Sequence, residues 1–312
     1  MRAVVVRRYG GPEALVLADV AMPEPGRGQV RIRVEAAAVN PVDVATRDGL
    51  MNVARPGVIA EREQVGIGWD VAGVIDAAGP DVTGLAAGDR VIGLRDRLDQ
   101  PLGTYAEQVV LDAADVAPAP AGAGLIEAAT IPLNGLTASQ ALDALALPAG
   151  RTILVTGAAG GLGGFGVELA AMRGLRVIAA AGDDDEKLAR RLGAWEFVPR
   201  SAGLAAAVRD LVPGGADAAF DAAVLGYRAL DAVRAGGSFA AFQGTGPVPL
   251  RGIRVVPITI RADGAALTGL SGLAAAGKLH LRVADTYPLA AAAEAHERLQ
   301  AGGLRGRLVL VP

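Results

Sequence analysis

The chain has 312 residues, of which 52% are hydrophobic and 20% are charged, so it can bury a large core and has the length of about two domains. Its 30 basic and 33 acidic residues give a formal net charge of −3, and this near balance argues against a protein that binds nucleic acid through its phosphates. The absence of cysteine excludes disulfides, iron–sulfur clusters and cysteine-ligated zinc, and two histidines are too few for a histidine-rich metal centre.

No stretch of the sequence has the length and composition of a membrane span. The longest stretches without a charged residue, 152–167 and 235–250, have 16 residues each and are rich in glycine or proline. A span needs roughly 20 apolar residues. The first residues also lack the apolar core of a signal peptide. We therefore expect a soluble, cytoplasmic protein that binds neither nucleic acid nor a membrane.

Residues 1–121 consist of short β-rich runs separated by turn residues such as PEPGRG and GPDVTG. Short strands at nearly regular spacing are typical of a small β-barrel or sandwich. The segment 116–124, VAPAPAGAG, is the clearest change in composition, and it predicts a linker.

From residue 151 onward, predicted strands alternate with predicted helices, and the strands are almost continuously apolar. This alternation indicates a parallel sheet covered on both faces, and therefore an α/β fold. A further helix and a terminal strand close the chain. The strands are expected at 152–157, 176–181, 196–198, 217–222, 238–243 and 253–260, and the main helices at 161–173, 185–194, 204–212 and 227–235.

A glycine-rich loop lies where the first of these strands meets its helix. Gly157, Gly160 and Gly163 give the spacing G-x-x-G-x-x-G, and the helix is expected to begin near Gly161. Such a loop lets backbone N–H groups approach a pyrophosphate, and the helix directs its positive end toward it. The alternative is an ordinary tight turn. The predicted cofactor-binding residues of the loop are Gly157, Gly160, Gly161, Leu162 and Gly163.

The end of the next strand should distinguish NADH from NADPH. No acidic residue closes it, since Ala181 stands there, and this removes the main barrier to a 2′-phosphate. Lys187 and Arg200 are predicted to bind that phosphate, whereas Asp183 could bind a ribose hydroxyl and favour NADH. Alternatively, the acidic residues 183–186 only supply negative charge to a helix N-terminus. We expect NADPH, with NADH as the alternative.

The chain contains, in this order, the segments NPVDVATRDG, GWDVAGVI, GDRVIG, GTYAEQVV, PLNGLTASQAL, VTGAAGGLG, LGAWEFV and the closing YPLAAAAEAHERLQAGGLRGRLVLV. In their order and spacing these segments resemble the zinc-free quinone oxidoreductase (zeta-crystallin-like) branch of the medium-chain dehydrogenase/reductase superfamily. The resemblance covers essentially the whole chain. It implies a GroES-like catalytic domain (1–121 and 261–312) with an inserted Rossmann domain (122–260), a doubly wound parallel sheet, and an active site in the cleft.

The resemblance also implies that no metal is bound. In zinc-dependent relatives a cysteine stands at the position of Asn40, and a His-Glu pair stands at Trp69 and Asp70. A cleft without a metal must polarise a substrate oxygen through hydrogen-bond donors. Asn40 is the first candidate donor, although its side chain could instead tie down its own Asn-Pro turn.

Two aromatic residues are further catalytic candidates. Trp69 could stack on a flat substrate or simply pack in the core, and Tyr105 is either catalytic or, more often, structural.

Other side chains are assigned by position in the resemblance. Asn134 and Thr137 match the region that lines the nicotinamide, although Thr137 could instead start a helix. Asp43 and Arg47 are expected to form an ion pair, with contact between Arg47 and an acidic substrate as the alternative. Both histidines, His280 and His296, are expected to be structural, and no acid lies near His280 in the sequence.

These observations predict an NAD(P)H-dependent, zinc-independent reductase of quinones or other conjugated carbonyls. The alternatives are an enoyl-thioester reductase and a non-redox cyclase or binding protein that retains the fold. Met51 stands where many reductases of the branch carry a tyrosine, which weakens the enoyl-thioester alternative. Relatives commonly pair the edge strands of their Rossmann sheets, so we expect a homodimer formed through residues 254–260.

Overall fold

The computed structural model describes residues 1–54, 56–59, 61–242, 244 and 246–312, which divide into two compact units. The first unit consists of Met1–Leu136, Arg261–Gly277 and Leu281–Pro312, and the second of Thr137–Ile260 and Lys278–His280. The first unit thus continues beyond residue 121, where the sequence predicted its end. No described helix has the length and apolar character needed to cross a membrane.

The N-terminal part of the chain contains eight strands and four α-helices within the described residues. The expected linker at 116–124 is wrong in its first part, because Val116–Pro118 is a strand. The elements are β1 (Arg2–Val6), β2 (Leu15–Asp19), β3 (Gln29–Val39), α1 (Pro41–Arg47), α2 (Leu50–Ala54), β4 (Val65–Gly66), β5 (Asp70–Ala78), β6 (Arg90–Leu94), β7 (Gln108–Asp112), β8 (Val116–Pro118), α3 (Leu125–Ala128) and α4 (Pro132–Leu145).

The remaining elements form the strand–helix alternation and the C-terminal segment. They are β9 (Thr152–Thr156), α5 (Gly161–Met172), β10 (Arg176–Ala181), α6 (Glu186–Arg191), β11 (Glu196–Pro199), α7 (Leu204–Leu211), β12 (Ala216–Asp221), α8 (Tyr227–Leu230), β13 (Val233–Ala241), β14 (Arg254–Pro257), α9 (Gly264–Ala275), β15 (Val283–Pro288), α10 (Ala292–Gln300) and β16 (Arg307–Val311).

The first unit contains two sheets. The smaller has the order β2-β1-β4, and the larger has the order β15-β16-β3-β5-β6-β8, with β7 also paired to β3. All its pairs are antiparallel except β15 with β16. The first half of β3, QVRIRV, alternates between partly exposed and buried residues, as expected of a strand with one face on a core. Its last four residues, 36–39, are all buried and end at the site described below.

The second unit is built on a six-stranded parallel sheet of order β11-β10-β9-β12-β13-β14. In chain order this is 3-2-1-4-5-6, the doubly wound arrangement in which β9 and β12 flank the point where the winding reverses. Ligands of such sheets bind at the carboxyl ends of the strands beside this point. The structure therefore confirms the predicted Rossmann sheet and the predicted β-rich domain.

One predicted helix differs from the structure, and two elements of the structure were not predicted. The helix expected at 227–235 ends at Leu230, because β13 already begins at Val233. The closing segment from Tyr287 onward was expected to contain one helix and one strand, but its first two residues end the strand β15, which pairs in parallel with β16. The helix α9 had no counterpart in the prediction, and Asp263 caps it by accepting the Ala266 N–H at 2.9 Å.

Candidate active site

A buried polar network begins where β3 ends in the first unit. Asn40 follows β3 directly and is completely buried. Its backbone N–H donates to Oδ2 of Asp43 at 2.8 Å, so Asp43 closes the first turn of α1, where Pro41 occupies the first helical position. The expected ion pair between Asp43 and Arg47 is therefore wrong. Arg47 instead pairs with Asp48 at 2.6 Å.

The side chain of Asn40 joins three elements. Its Nδ2 donates to Oδ2 of Asp70 on β5 at 2.6 Å and to the carbonyl oxygen of Ala38 at 3.3 Å. Its Oδ1 accepts a hydrogen bond from Nδ2 of Asn134 on α4 at 3.1 Å. The second oxygen of Asp70 accepts the backbone N–H of Leu133 at 2.5 Å, at the positive end of α4. Both amide hydrogens of Asn40 are therefore engaged within the protein.

Arg307, on β16, fixes the direction of this network. Its Nε donates to Oδ1 of Asn134 at 3.0 Å, and its Nη2 contacts the same oxygen. Because a guanidinium can only donate, Asn134 must present its oxygen to Arg307 and its amide hydrogens to Asn40. Asn40 in turn can only donate to Asp70. Sequence reasoning missed Arg307.

A second chain of hydrogen bonds runs through Tyr105 and His296, both completely buried. Nη1 of Arg47 lies 3.3 Å from Nδ1 of His296, and Nε2 of His296 lies 3.3 Å from the hydroxyl of Tyr105. That hydroxyl donates to Oδ2 of Asp43 at 3.1 Å. Since Arg47 can only donate, Nδ1 of His296 accepts and its Nε2–H donates to Tyr105. In every hydrogen bond of this series, therefore, the donor lies on the side of Arg47 and the acceptor on the side of Asp43.

Burial changes the pKa values of the titratable side chains in both of these hydrogen-bond networks. It raises the pKa of Asp43 to about 8 and the pKa of Asp70 to about 7, although the N–H groups of Asn40 and Leu133 oppose the change. Burial and the neighbouring charge of Arg47 lower the pKa of His296 to about 3, so this imidazole is neutral at physiological pH. The network thus holds one permanently neutral imidazole and two carboxyl groups that take up protons readily.

Trp69 and Arg47 are both buried, but the indole N–H of Trp69 has no partner among the described residues, whereas the guanidinium of Arg47 is bound within the protein. Trp69 immediately precedes β5 and is 5% exposed, and its Nε1 has no hydrogen-bond partner among the described residues. Arg47 is 1% exposed and also donates to the carbonyl oxygen of Gly10 at 3.1 Å. This buried, ion-paired position argues against its alternative role as a contact for an acidic substrate. Met51 lies on α2 and is partly buried.

The glycine loop of the second unit connects β9 to α5. Gly157 has φ +62°, which favours glycine. A Cβ atom on Gly163 would lie 2.1 Å from the Gly157 oxygen, so only glycine lets the first turn of α5 pack on the loop. A Cβ on Gly160 would meet only the Gly157 oxygen, at 3.2 Å, and the surrounding space is otherwise open. This cradle of backbone at a helix N-terminus fits a dinucleotide pyrophosphate.

Thr156 and Asp221 fasten the loop that follows β12, residues 222–226, beside the glycine loop. The hydroxyl of Thr156 donates to Oδ1 of Asp221 at 2.7 Å and accepts the N–H of Ala223 at 3.0 Å. Asp221 also accepts the N–H groups of Leu225 and Gly226. Val224 lies between Ala223 and Leu225 in this loop, is exposed, and has φ +53°, which is strained for a β-branched residue. Sequence reasoning did not single out these residues.

The predicted phosphate-binding residues lie beyond the carboxyl ends of β10 and β11. Asp183 is exposed and accepts the Ser201 N–H at 3.0 Å; this bond and the charge of Arg200 lower its pKa. Asp185 is buried and accepts the Gly182 N–H at 3.0 Å. Lys187 and Arg200 are both exposed. Two of the acidic residues are therefore engaged in local hydrogen bonds.

Three further predictions concern single residues. Thr137 does not start a helix, because α4 begins at Pro132, and it is 7% exposed. His280 does have an acidic neighbour in space: Oε1 of the buried Glu168 lies 2.5 Å from its Nδ1. The sequence alone did not reveal this pair, because Glu168 and His280 are 112 residues apart. Within the described part of the chain, no group of three or more histidine, cysteine, aspartate or glutamate residues could hold a metal ion.

Comparisons with known proteins agree with this architecture. Residues 26–121 match the alcohol dehydrogenase GroES-like domain, and residues 192–310 match the zinc-binding dehydrogenase family. A quinone oxidoreductase of Pseudomonas aeruginosa is 31% identical over 97% of each chain. An NADPH-dependent alkenal/one oxidoreductase of Arabidopsis thaliana is 30% identical over 100% of this chain and 80% of its own. The crystal structure of an NAD-dependent alcohol dehydrogenase is 35% identical, with full coverage of both chains and a TM-score of 0.88. The chain therefore belongs to the quinone oxidoreductase branch of the medium-chain dehydrogenase/reductase superfamily, a group of nicotinamide-dependent oxidoreductases.

Proposed function

We propose that the protein is an NADPH-dependent, zinc-independent reductase that transfers a hydride to a quinone or another conjugated carbonyl compound. The observation that carries this proposal is the glycine cradle before α5. Gly163 permits the close approach of the helix to the loop, and Gly160 leaves the outer side of the loop open. The backbone of Gly157, Gly160, Gly161, Leu162 and Gly163 would hold the pyrophosphate, and Asn134 and Thr137 are the proposed residues near the nicotinamide.

When bound, the reduced nicotinamide supplies a hydride, and a proton from solvent completes the two-electron reduction of the substrate. The chain itself must orient the substrate. Because the amide hydrogens of Asn40 and the hydroxyl of Tyr105 are already bound, we assign these two residues to positioning. Of the three predicted catalytic residues, Trp69 alone keeps an unpartnered donor within the described residues. It would pack its flat ring on a flat substrate.

A preference for NADPH would come from Arg200 and Lys187. Both are exposed beyond the carboxyl ends of β10 and β11, and Asp183, the acid that would oppose a phosphate, already accepts the Ser201 N–H. The double variant Lys187→Ala, Arg200→Ala should lose affinity for NADPH but not for NADH. Arg191→Ala, which removes another exposed cation from α6, serves as the control. An unchanged ratio of the two dissociation constants in the double variant would contradict this assignment.

The activity itself is tested with purified protein, reduced nicotinamide and a panel of quinones and enones. Loss of nicotinamide absorbance that depends on the acceptor is the expected result. Dinucleotide binding without any acceptor-dependent oxidation would favour the alternative of a non-redox protein that retains the fold. Elemental analysis should find no stoichiometric zinc, because no cysteine exists and Asn40 and Asp70 bind each other. One tightly held zinc per chain would contradict the assignment.

We also propose a homodimer formed through β14. This strand ends the order of the six-stranded sheet and pairs only with β13 in the described structure, so one of its edges is available to a second copy. Light scattering should give twice the chain mass, and Val255→Pro should reduce it to the monomer. The expected cytoplasmic location stays a prediction.

A further inference from the structure

A tight turn carries Arg200 at the end of β11. The N–H of Ala202 donates to the oxygen of Pro199 at 3.0 Å, so Arg200 and Ser201 are the two central residues of a β-turn formed by residues 199–202. Both central residues are exposed. Exposed turns with few contacts are among the least stable parts of a fold. Any further contact to this turn therefore has a large influence on how well Arg200 is held in place.

Asp183 supplies such a contact from the neighbouring strand. Ala181, the last residue of β10, lies opposite Pro199 in the parallel pair of β10 and β11. Asp183 and Ser201 each follow two residues later, and Oδ1 of Asp183 accepts the Ser201 N–H at 3.0 Å. The carboxylate therefore extends the connection between the two strands beyond their last paired residues and fastens the 199–202 turn to the end of β10.

The ionisation of Asp183 reflects its contacts with the turn. The N–H and the hydroxyl of Ser201, together with the N–H and the charge of Arg200, lower the pKa of Asp183, and slight burial opposes them. The side chain is therefore a carboxylate at physiological pH. As a carboxylate it attracts both central residues of the 199–202 turn.

We propose that Asp183 is a positioning residue that favours NADPH, because it holds the 199–202 turn and so keeps Arg200 where a 2′-phosphate binds. This inference rests on the proposed function, in which Arg200 and Lys187 bind that phosphate. An acid beyond the second strand of such a sheet is ordinarily expected to repel a 2′-phosphate and to favour NADH. Here the sign is reversed, since the carboxylate binds the segment that carries the cation.

The effect on affinity comes from the order of the turn in the unbound protein. An apparent affinity falls in proportion to the fraction of molecules that are in the binding conformation. Without Asp183 the 199–202 turn populates other conformations, and Arg200 is less often in place. The loss cannot exceed the factor that one ordinary hydrogen bond contributes, roughly two- to tenfold. NADH lacks the 2′-phosphate, so its affinity should not change.

Direct contact between Asp183 and the ribose is the competing explanation. In that case the carboxylate accepts the 2′-hydroxyl of NADH and repels the phosphate of NADPH. Removing the acid would then weaken NADH binding and strengthen NADPH binding. The two explanations predict opposite changes for NADPH, so dissociation constants separate them.

The test measures the dissociation constants of NADPH and NADH for Asp183→Ala and Asp183→Asn. Asparagine removes the charge but keeps an oxygen that can accept the Ser201 N–H. We expect Asp183→Ala to bind NADPH roughly two- to tenfold more weakly with NADH unchanged, and Asp183→Asn to restore most of the NADPH affinity. Asp184→Asn is the matched control, because it removes an adjacent exposed charge that is not bonded to Ser201, and it should not weaken NADPH binding.

Three results would overturn the inference. NADPH binding to Asp183→Ala that is unchanged or tighter would show that the acid does not assist the phosphate site. A loss of NADH affinity in the same variant would assign Asp183 to the ribose. An equal loss of NADPH affinity in the alanine and asparagine variants would reject the hydrogen bond to Ser201 as the cause. Hydrogen exchange at the Ser201 amide, which should be faster in Asp183→Ala, checks this bond without any ligand.

A second background separates failure of this inference from failure of the proposed function. In Arg200→Ala protein, Asp183→Ala should cause no further loss of NADPH affinity, because the side chain that it positions is absent. If Arg200→Ala alone does not weaken NADPH binding, the proposed phosphate site is wrong and this inference fails with it. If Arg200→Ala weakens NADPH binding and Asp183→Ala does not, this inference alone fails. Protein that binds neither dinucleotide would contradict the proposed reductase itself.

Discussion

Replacing Gly163 by alanine should destabilise the second unit, whereas replacing Gly160 by valine should leave the fold intact and weaken dinucleotide binding. The two glycines lie three residues apart in the same loop, but their surroundings differ. A Cβ on Gly163 would lie 2.1 Å from the oxygen and 2.6 Å from the carbonyl carbon of Gly157, where ordinary contact begins at 3.4 Å. A Cβ on Gly160 would meet one atom, at 3.2 Å.

The magnitudes follow from these distances. The obstruction at Gly163 is backbone, which cannot rotate away, so α5 or the loop must move by roughly 1 Å. Overpacking of this kind costs about 1–3 kcal/mol. The helix propensity of alanine returns at most about 1 kcal/mol. A net loss of about 1–2 kcal/mol lowers Tm by roughly 2–8 °C. Gly160 has φ −75°, which any residue adopts, so valine there should cost about 1 kcal/mol or less through the loss of a favourable N-cap residue.

Thermal unfolding without ligand measures the first effect, and titration of NADPH and NADH fluorescence measures the second. Gly163→Ala should unfold at a lower temperature, and its dinucleotide affinity should fall because the cradle is displaced. Gly160→Val should unfold near the wild-type temperature and bind either dinucleotide at least tenfold more weakly, because its side chain occupies the space that a pyrophosphate needs. Wild-type affinity in a folded Gly160→Val protein would refute the loop as the cofactor site, and wild-type stability of Gly163→Ala would refute its packing.

Three further predictions concern buried or strained groups. Folded protein keeps a proton on Asp43 up to about pH 8, whereas the unfolded chain releases it near 3.8, so this group makes stability fall as the pH rises between these values. Asp43→Asn keeps the acceptor oxygen, so unfolding in urea should depend less on pH over that interval; an unchanged profile would show that Asp43 is ionised in the folded state. Asn40→Ala removes the partner of Oδ2 of Asp70 and the partner of Nδ2 of Asn134 and should cost about 2–4 kcal/mol, which a wild-type Tm would contradict. Val224→Asn should raise Tm slightly, because asparagine adopts positive φ more readily than valine; a lower Tm would indicate that the valine side chain contributes more than the strain costs.

The second unit was predicted more accurately than the first, because its signals are local. The strand β9, the glycine loop and the helix α5 follow one another directly, and the structure places β9 and β10 within a residue of their predicted bounds. In contrast, β8 pairs with the distant β6, and its three residues lie in a stretch rich in proline. The strand β15 is mostly exposed and has no alternating pattern. Neither strand carries a sequence signal that would reveal its partner.

The same distinction applies to the candidate site. Asn40, Trp69 and Tyr105 were found through motifs, but the motifs did not show which of their polar groups are already bound. That outcome depends on Asp70, Arg307 and His296, which reach the network from other strands and helices. The expected pair of Asp43 with Arg47 failed because the acid at the third helical position accepts the backbone N–H of Asn40, the residue that caps the helix.

The position of β16 between β3 and β15 has a consequence for synthesis on the ribosome. Leu308 pairs with Val39, and Arg307 sets the direction of the amides next to Asn40. These residues emerge long after β3, so the larger sheet of the first unit cannot be completed until β16 has been translated. Residues 137–260 are contiguous and can fold earlier, since domains generally fold as units during synthesis. Until β16 has been translated, therefore, the nascent chain exposes the edge of β3 at residues 37–39 and leaves Oδ1 of Asn134 without Arg307, and during that time a chaperone would protect it from aggregation.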